Sequence, residues 1–338
     1  MMVKSLFEII KRTSIGALSV FVLLVGGCAT PAPPSTCADR ADELLGQGTK
    51  QYRQGDYESA SHSFHEALQT SASVDHRRGV ATAYNDIGVL QLGEGKRIDA
   101  LKNFRKALEV YRTLDDPEGV GTAWLNMGLS YLAIEDEDKA GHHFRMALEM
   151  ARNNGLKGIE AKALNNLGLL MAHKGEPDEA LPFYRSSLAI NQREGYRAGM
   201  AGNLNNMGTL YLERNEPDKA LVYLRHALEV DKGIEDSRAI ALDLFNMASA
   251  YYAKKDYPGA LDYYSRSLAI FQFHSDLPYT ARTLFSMGLA YEKAGDKRKA
   301  EESYRSALET AEKVEMHVLA EKVRLKLHGL TRALVISE

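Results

Sequence analysis

The feature that most constrains this chain is an interval of 40 residues at which the same residue types return. Gly48, Gly88, Gly128, Gly168, Gly208, Ala248 and Gly288 form one register. Ala60, Ala100, Ala140, Ala180, Ala220, Ala260 and Ala300 form a second. Phe64, Phe104, Phe144, Tyr184, Leu224, Tyr264 and Tyr304 form a third, and Leu68, Leu108, Leu148, Leu188, Leu228, Leu268 and Leu308 a fourth. Four registers in phase over seven repeats mean that one structural unit is stacked along the chain. Each unit buries its apolar face against its neighbours, so nearly the whole sequence is committed to one quasi-linear array.

The registers predict the unit. A small residue is placed where two helices of one repeat cross closely, and the alanine register does the same from the second helix. The aromatic four residues after that alanine shares its face, and we read it as filling the groove to the next repeat. Breakers such as Gly55-Asp56, Gly95-Lys96, Gly175-Glu176-Pro177, Asn215-Glu216-Pro217 and Gly295-Asp296 separate the helices. An acidic residue there caps the helix that follows, and proline is tolerated at a first helical position.

The segment Trp124-Leu125-Asn126-Met127-Gly128-Leu129-Ser130-Tyr131, followed by Ala140 and Phe144, resembles the tetratricopeptide repeat family. The resemblance spans residues 39 to 314. It implies an all-α, right-handed superhelical solenoid of seven helix pairs, with the first helix of each pair lining the concave side. Two departures stand out. The period is 40 rather than the usual 34, which lengthens each helix to about 17 residues and about 25 Å. The proline that usually closes the second helix is replaced by Arg112, Arg152, Gln192 and Lys232. The longer repeat is similar to the class found in kinesin light chains and in bacterial peptide-sensing regulators. Residues 315–338 read as a C-terminal capping helix with the apolar stripe Leu319, Val323, Leu327 and Leu330.

Residues 1–27 read differently. Lys4, Lys11 and Arg12 precede an apolar run from Ile15 to Val25, about half the length of a bilayer span. That is the layout of a secretory signal peptide. The run ends in Val25-Gly26-Gly27-Cys28, which resembles the lipobox of bacterial lipoproteins and implies cleavage before Cys28 and lipidation of its thiol. Residues 28–38, rich in Pro, Ser and Thr, read as a tether, with Cys37 in it. The implied location is the bacterial cell envelope, anchored by lipid to a membrane, with the outer membrane favoured because Ala29 rather than Asp follows Cys28. Removing residues 1–27 takes the formal net charge from -3 to -5. Acyl chains, not charge, would then hold the protein at an anionic membrane.

Charge also removes a class of partner. Lys and Arg total 42 and Asp and Glu 45, without the basic excess of a nucleic-acid binder. Two cysteines exclude a disulfide scaffold and a multi-cysteine zinc site. His142 and His143 are adjacent and diverge. His62 and His65 share a helix face but have no identifiable third ligand. No phosphate-cradling glycine loop and no HExxH or GxSxG motif occurs. The reading is therefore no enzyme, no cofactor, no metal and no small-molecule substrate, with a protein or peptide as partner.

The candidate binding residues lie two positions before the glycine register: Asp86, Asn126, Asn166, Asn206 and Asn246, with Ser286 in the last repeat. In tetratricopeptide repeats this position faces the concave groove. Asn85, Asn165 and Asn205, one position earlier, thicken the stripe. A side-chain amide offers both a donor and an acceptor, so one rung per repeat matches a peptide main chain of any sequence. Four rungs about 10 Å apart span about nine extended residues. The other reading is that these amides bridge neighbouring helices. Phe245, Tyr252 and Phe285 form an apolar pocket beside the stripe if exposed, and ordinary packing if buried. Lys162, Arg238 and Arg282 fall near the same face.

Two functions fit. One is a lipid-anchored adaptor that holds a partner or an extended segment of it in the groove. The other is a structural subunit of an envelope machine, for pilus assembly, secretion or polysaccharide export, using its convex face or edges.

Overall fold

The computed structural model describes the backbone of residues 36–335 and the side chains of residues 36–330. The expected signal peptide, Cys28 and the tether up to residue 35 lie outside the described residues. Fifteen helices account for nearly all of the described part: α1 (Cys37–Arg53), α2 (Tyr57–Ser73), α3 (Arg77–Gly93), α4 (Arg97–Thr113), α5 (Pro117–Ala133), α6 (Glu137–Asn153), α7 (Lys157–Lys174), α8 (Pro177–Glu194), α9 (Arg197–Glu213), α10 (Pro217–Lys232), α11 (Ser237–Ala253), α12 (Tyr257–Phe273), α13 (Leu277–Ala294), α14 (Lys297–Lys313) and α15 (His317–Val335). The all-α helix-pair architecture is the expected one. α1 begins at Cys37, two residues before the expected start of the first repeat, with Thr36 Oγ1 accepting from Asp39 N at 3.1 Å as its cap.

The backbone repeats every 20 residues, half the sequence period. A left-handed residue follows each of the first fourteen helices. Glycine holds that place at 55, 95, 155, 175, 195 and 295, and Asp75, Asp115, Glu135, Asn215, Glu235, Lys255, Ser275 and Glu315 hold the others. The following N–H then reaches back five residues, as in Asp56 N to Gln51 O at 3.0 Å and Asp136 N to Tyr131 O at 2.9 Å. This closes each helix end in the pattern expected of a left-handed C-terminal residue. Aspartates cap the next helix: Asp56 accepts from Ser59 N, Asp136 from Lys139 N, Asp256 from Gly259 N and Asp296 from Lys299 N, all at 3.0–3.1 Å. Aspartate also caps first helices, at Asp116, Asp236 and Asp276.

The glycine register faces an aromatic of its own repeat. A Cβ on Gly48 would stand 2.5 Å from Phe64, on Gly88 2.6 Å from Phe104, on Gly128 2.4 Å from Phe144 and on Gly288 2.5 Å from Tyr304. The aromatic is therefore seated on the first helix of the same pair, which corrects the expectation that it fills the groove to the next repeat. The reason is spatial: at these four crossings the absent side chain leaves the room that the ring occupies. The alanine register is fully buried from Ala60 to Ala300.

The chain divides into two compact units whose described parts are residues 36–203 and 204–335. In the first, sequential helices α1 to α8 pack on their chain neighbours, and the first helices of successive repeats also touch, α1 on α3, α3 on α5 and α5 on α7. One apolar core runs through it from Leu44 to Leu170. In the second, α10 to α15 pack in sequence. There Leu319, Val323 and Leu330 of α15 close the core around Phe285 and Tyr304.

Candidate partner-binding face

Asparagine is a poor interior helix residue, and these helices carry it repeatedly. The structure gives the reason. Asn126 Nδ2 on α5 donates to Asn85 Oδ1 on α3 at 2.8 Å. Asn246 Nδ2 on α11 donates to Asn205 Oδ1 on α9 at 3.0 Å, in the same relative register. A second link spans 38 residues: Asn203 Nδ2 donates to Asn165 Oδ1 at 2.8 Å, and Asn205 Nδ2 to Asp243 Oδ1 at 2.5 Å. Of the two readings open from the sequence, bridging between first helices is what these bonds do. Each bond uses part of an amide's capacity and fixes its orientation.

Burial sorts the candidate residues. Asp86, Asn126 and Asn166 are 1%, 4% and 9% exposed. They are interior groups, which corrects their assignment to an open surface: Asn126 bonds sideways to α3, and Asp86 accepts from Asn85 on its own helix. Asn165, Asn205, Asn206 and Asn246 are half-buried and keep part of their surface. Phe245 and Phe285 are buried, with ring centres 5.4 Å from Tyr264 and 5.7 Å from Tyr304. They are packing residues and not a pocket, because the second-helix aromatics draw them inward. Tyr252 is half-buried against Tyr257, at 5.6 Å between ring centres.

Charge inside the first helices is unusual. Burial pushes the Asp86 carboxyl up to about 8, opposed by a hydrogen bond from Asn85 Nδ2 at 3.2 Å. Burial pushes the Lys162 ammonium down to about 7, opposed by the charge of Glu118. Asp231 and Asp243 are both raised, chiefly by burial. Arg238 bonds Asp276 at 3.0 Å, and Arg238 and Arg282 stack over the ring of Tyr279 at 5.5 and 5.0 Å.

Sequence reasoning missed Asn191, Asn203, Asp231 and Asp243. Asn191 Nδ2 donates to Asn203 Oδ1 at 2.6 Å, and Ser187 Oγ joins them at 3.1 Å. The available signal was the amide or acid at both registers in two successive repeats, Asn191 with Asn203 and Asp231 with Asp243. Among the described residues, no group of three or more His, Cys, Asp or Glu is placed to hold a metal ion. His65 bonds Ser61 O at 2.8 Å, and His143 stacks on Tyr131 at 5.3 Å.

Comparison with known proteins places the array. The tetratricopeptide repeat model matches residues 45–113, 92–153, 119–193, 159–233 and 238–313. The chain belongs to the tetratricopeptide repeat family. No curated protein matches it. Among solved structures it is similar to the Rap conjugation gene regulator of plasmid pLS20 in complex with the Phr* peptide, with a TM-score of 0.66 at 18% identity over 88% of this chain and 82% of that one. It is also similar to NprR in complex with its cognate peptide NprX, with a TM-score of 0.55 at 19% identity over 89% and 84%. Aspartyl phosphate phosphatase F from Bacillus subtilis gives 0.59 at 15% over 84% and 73%. At these identities the likeness is one of fold.

Proposed function

We propose that this protein is a lipid-anchored adaptor of the bacterial cell envelope that holds a partner protein, through an extended segment of it, without carrying out a reaction. The observation that carries the proposal is the set of half-buried amides on first helices, oriented by hydrogen bonds before any partner arrives. Asn205 and Asn246 are fixed by each other and by Asp243, and Asn206 lies beside them on α9. A preoriented amide spends less conformational entropy on binding than a free one. The peptide complexes named for two structures of similar fold support the choice of ligand class. The lipobox-like Val25-Gly26-Gly27-Cys28 supports the anchor.

In-cell crosslinking of the full chain tests the binding face. Loss of the captured partner in Asn205→Ala/Asn206→Ala/Asn246→Ala, with helicity retained, supports it. Unchanged capture rejects this face and moves the interaction to other surfaces, as a structural subunit would require. Palmitate labelling tests the anchor separately: wild-type label that vanishes in Cys28→Ser is expected, and an unlabelled wild type overturns it.

A further inference from the structure

α10 and α11 meet through two interior carboxyl groups. Asp231 near the end of α10 is 3% exposed, and Asp243 in the middle of α11 is 0% exposed. Asp243 accepts from Asn205 Nδ2 at 2.5 Å, and Asn205 Oδ1 in turn accepts from Asn246 Nδ2 at 3.0 Å. Asp231 Oδ1 and Asp243 Oδ2 are buried and meet no donor among the described residues. The two side chains act on each other.

The other repeats show that nothing in the packing demands acid here. The position of Asp231 is held by Ser71, Tyr111, Ala151, Asn191, Phe271 and Ala311, and that of Asp243 by Glu43, Ala83, Ala123, Ala163, Asn203, Thr283 and Val323. Glu43 is exposed; all the others are buried and none of those is charged. Asn191 and Asn203 fill both positions with amides and bond directly at 2.6 Å. An amide pair has its own donor. Two ionised carboxylates have only acceptors and repel, so the same contact requires a proton.

Among the described residues, the charged groups seen to act on the pair are acidic. Asp236 between the two helices is a third carboxylate acting on both, and its side chain caps α11 at Ala239 N, 2.9 Å away. On α11, Arg238 is turned to Asp276. From α9 the contact is the neutral Asn205, and on α12 Tyr264 is bonded to Ser249 at 3.0 Å. Burial holds both carboxyls above the ordinary carboxylate range; the charge of Asp231 raises Asp243 further, while a hydrogen bond with Asp243 draws Asp231 back down.

We propose that Asp231 and Asp243 share one proton and form a pH-dependent latch between α10 and α11, closed while the proton is held and opened when both carboxyls ionise. Opening releases that proton to solvent and leaves two carboxylates. Asn205 and Asn246 are tied to Asp243, so the latch also sets their orientation. The latch itself does not depend on the proposed ligand.

The test compares the full-length wild type with Asp231→Asn/Asp243→Asn, which copies the Asn191–Asn203 pair. Urea midpoints are measured from about pH 5 to about pH 9. For an acid whose folded value is raised, stability is present at low pH and is lost as pH rises through the folded value. The expected result is a gap between variant and wild type that widens with pH in favour of the variant. Asp86 is common to both chains and drops out of the difference. A gap that does not change with pH overturns the latch. If the double variant does not fold, carbon-13 titration of aspartate carboxyls in the wild type decides. Two upward-shifted, mutually dependent titrations that remain in Asp86→Asn support it, and titration of all carboxyls other than Asp86 in the ordinary range overturns it.

Discussion

Asn126 reaches from α5 to Asn85 on α3 and donates to its carbonyl oxygen at 2.8 Å, with both residues buried. The bond ties two consecutive repeats through their first helices at a point where the chain could have placed alanine. Asn126→Ala leaves Asn85 Oδ1 buried and unpaired, so we expect a loss of about 1–3 kcal/mol in urea denaturation. Asn246→Ala, whose residue is half-buried and whose partner can be rehydrated, should cost less, about 1 kcal/mol or below. Equal losses at the two sites would contradict this account of the bridging amides.

Two glycines in α1 separate packing from helix propensity. A Cβ on Gly48 would stand 2.5 Å from Phe64, while one on Gly46 would meet nothing within 4 Å. Gly46→Ala should stabilise by up to about 1 kcal/mol through propensity alone. Gly48→Ala should destabilise by about 1–3 kcal/mol, because the buried ring must be displaced. Thermal unfolding of the two variants beside wild type gives both signs in one experiment.

Asp86 should make the molecule weaker as pH rises. Its carboxyl is pushed up to about 8 from 3.8. An acid raised in the folded state costs nothing below its unfolded value, and the cost grows until pH passes the folded value. Asp86→Asn should therefore match wild type near pH 4 and exceed it by about 1–3 kcal/mol at neutral pH, the scale of an ill-satisfied buried polar group. Chemical denaturation across that range checks it.

Lys162 carries the opposite dependence. Burial lowers its ammonium from 10.5 to about 7. The cost of burying the charge is complete below about pH 7 and is relieved as pH rises toward the unfolded value. Lys162→Met removes the charge but keeps the stem, so it should be more stable than wild type at pH 6 and lose that advantage above about pH 10. A constant difference in unfolding midpoint would show that the ammonium stays solvated.

The sequence alone determined the repeat, the helix pairs and the all-α class, because a 40-residue interval with small residues in phase has few other ways to bury its apolar face. It also determined the caps at Asp56, Asp256 and Asp296, since aspartate before a helix satisfies free N–H groups locally, whereas Glu176 and Glu216 at the same kind of breaker make no side-chain cap bond. What it left open concerned direction. Whether Asn126 points outward to a ligand or sideways to Asn85, and whether Phe245 lines a pocket or packs on Tyr264, depends on how neighbouring helices are offset. The partners that decide it lie far along the chain, 41 residues away for Asn126 and 19 for Phe245. The turn register hid for a related reason: eight of the fourteen left-handed positions are not glycine, so the backbone's 20-residue beat is carried by hydrogen bonds and not by residue type. The meeting of Asp231 with Asp243 belonged wholly to the tertiary structure, because two acids twelve residues apart become one proton site only when α10 and α11 fold back on each other and exclude water.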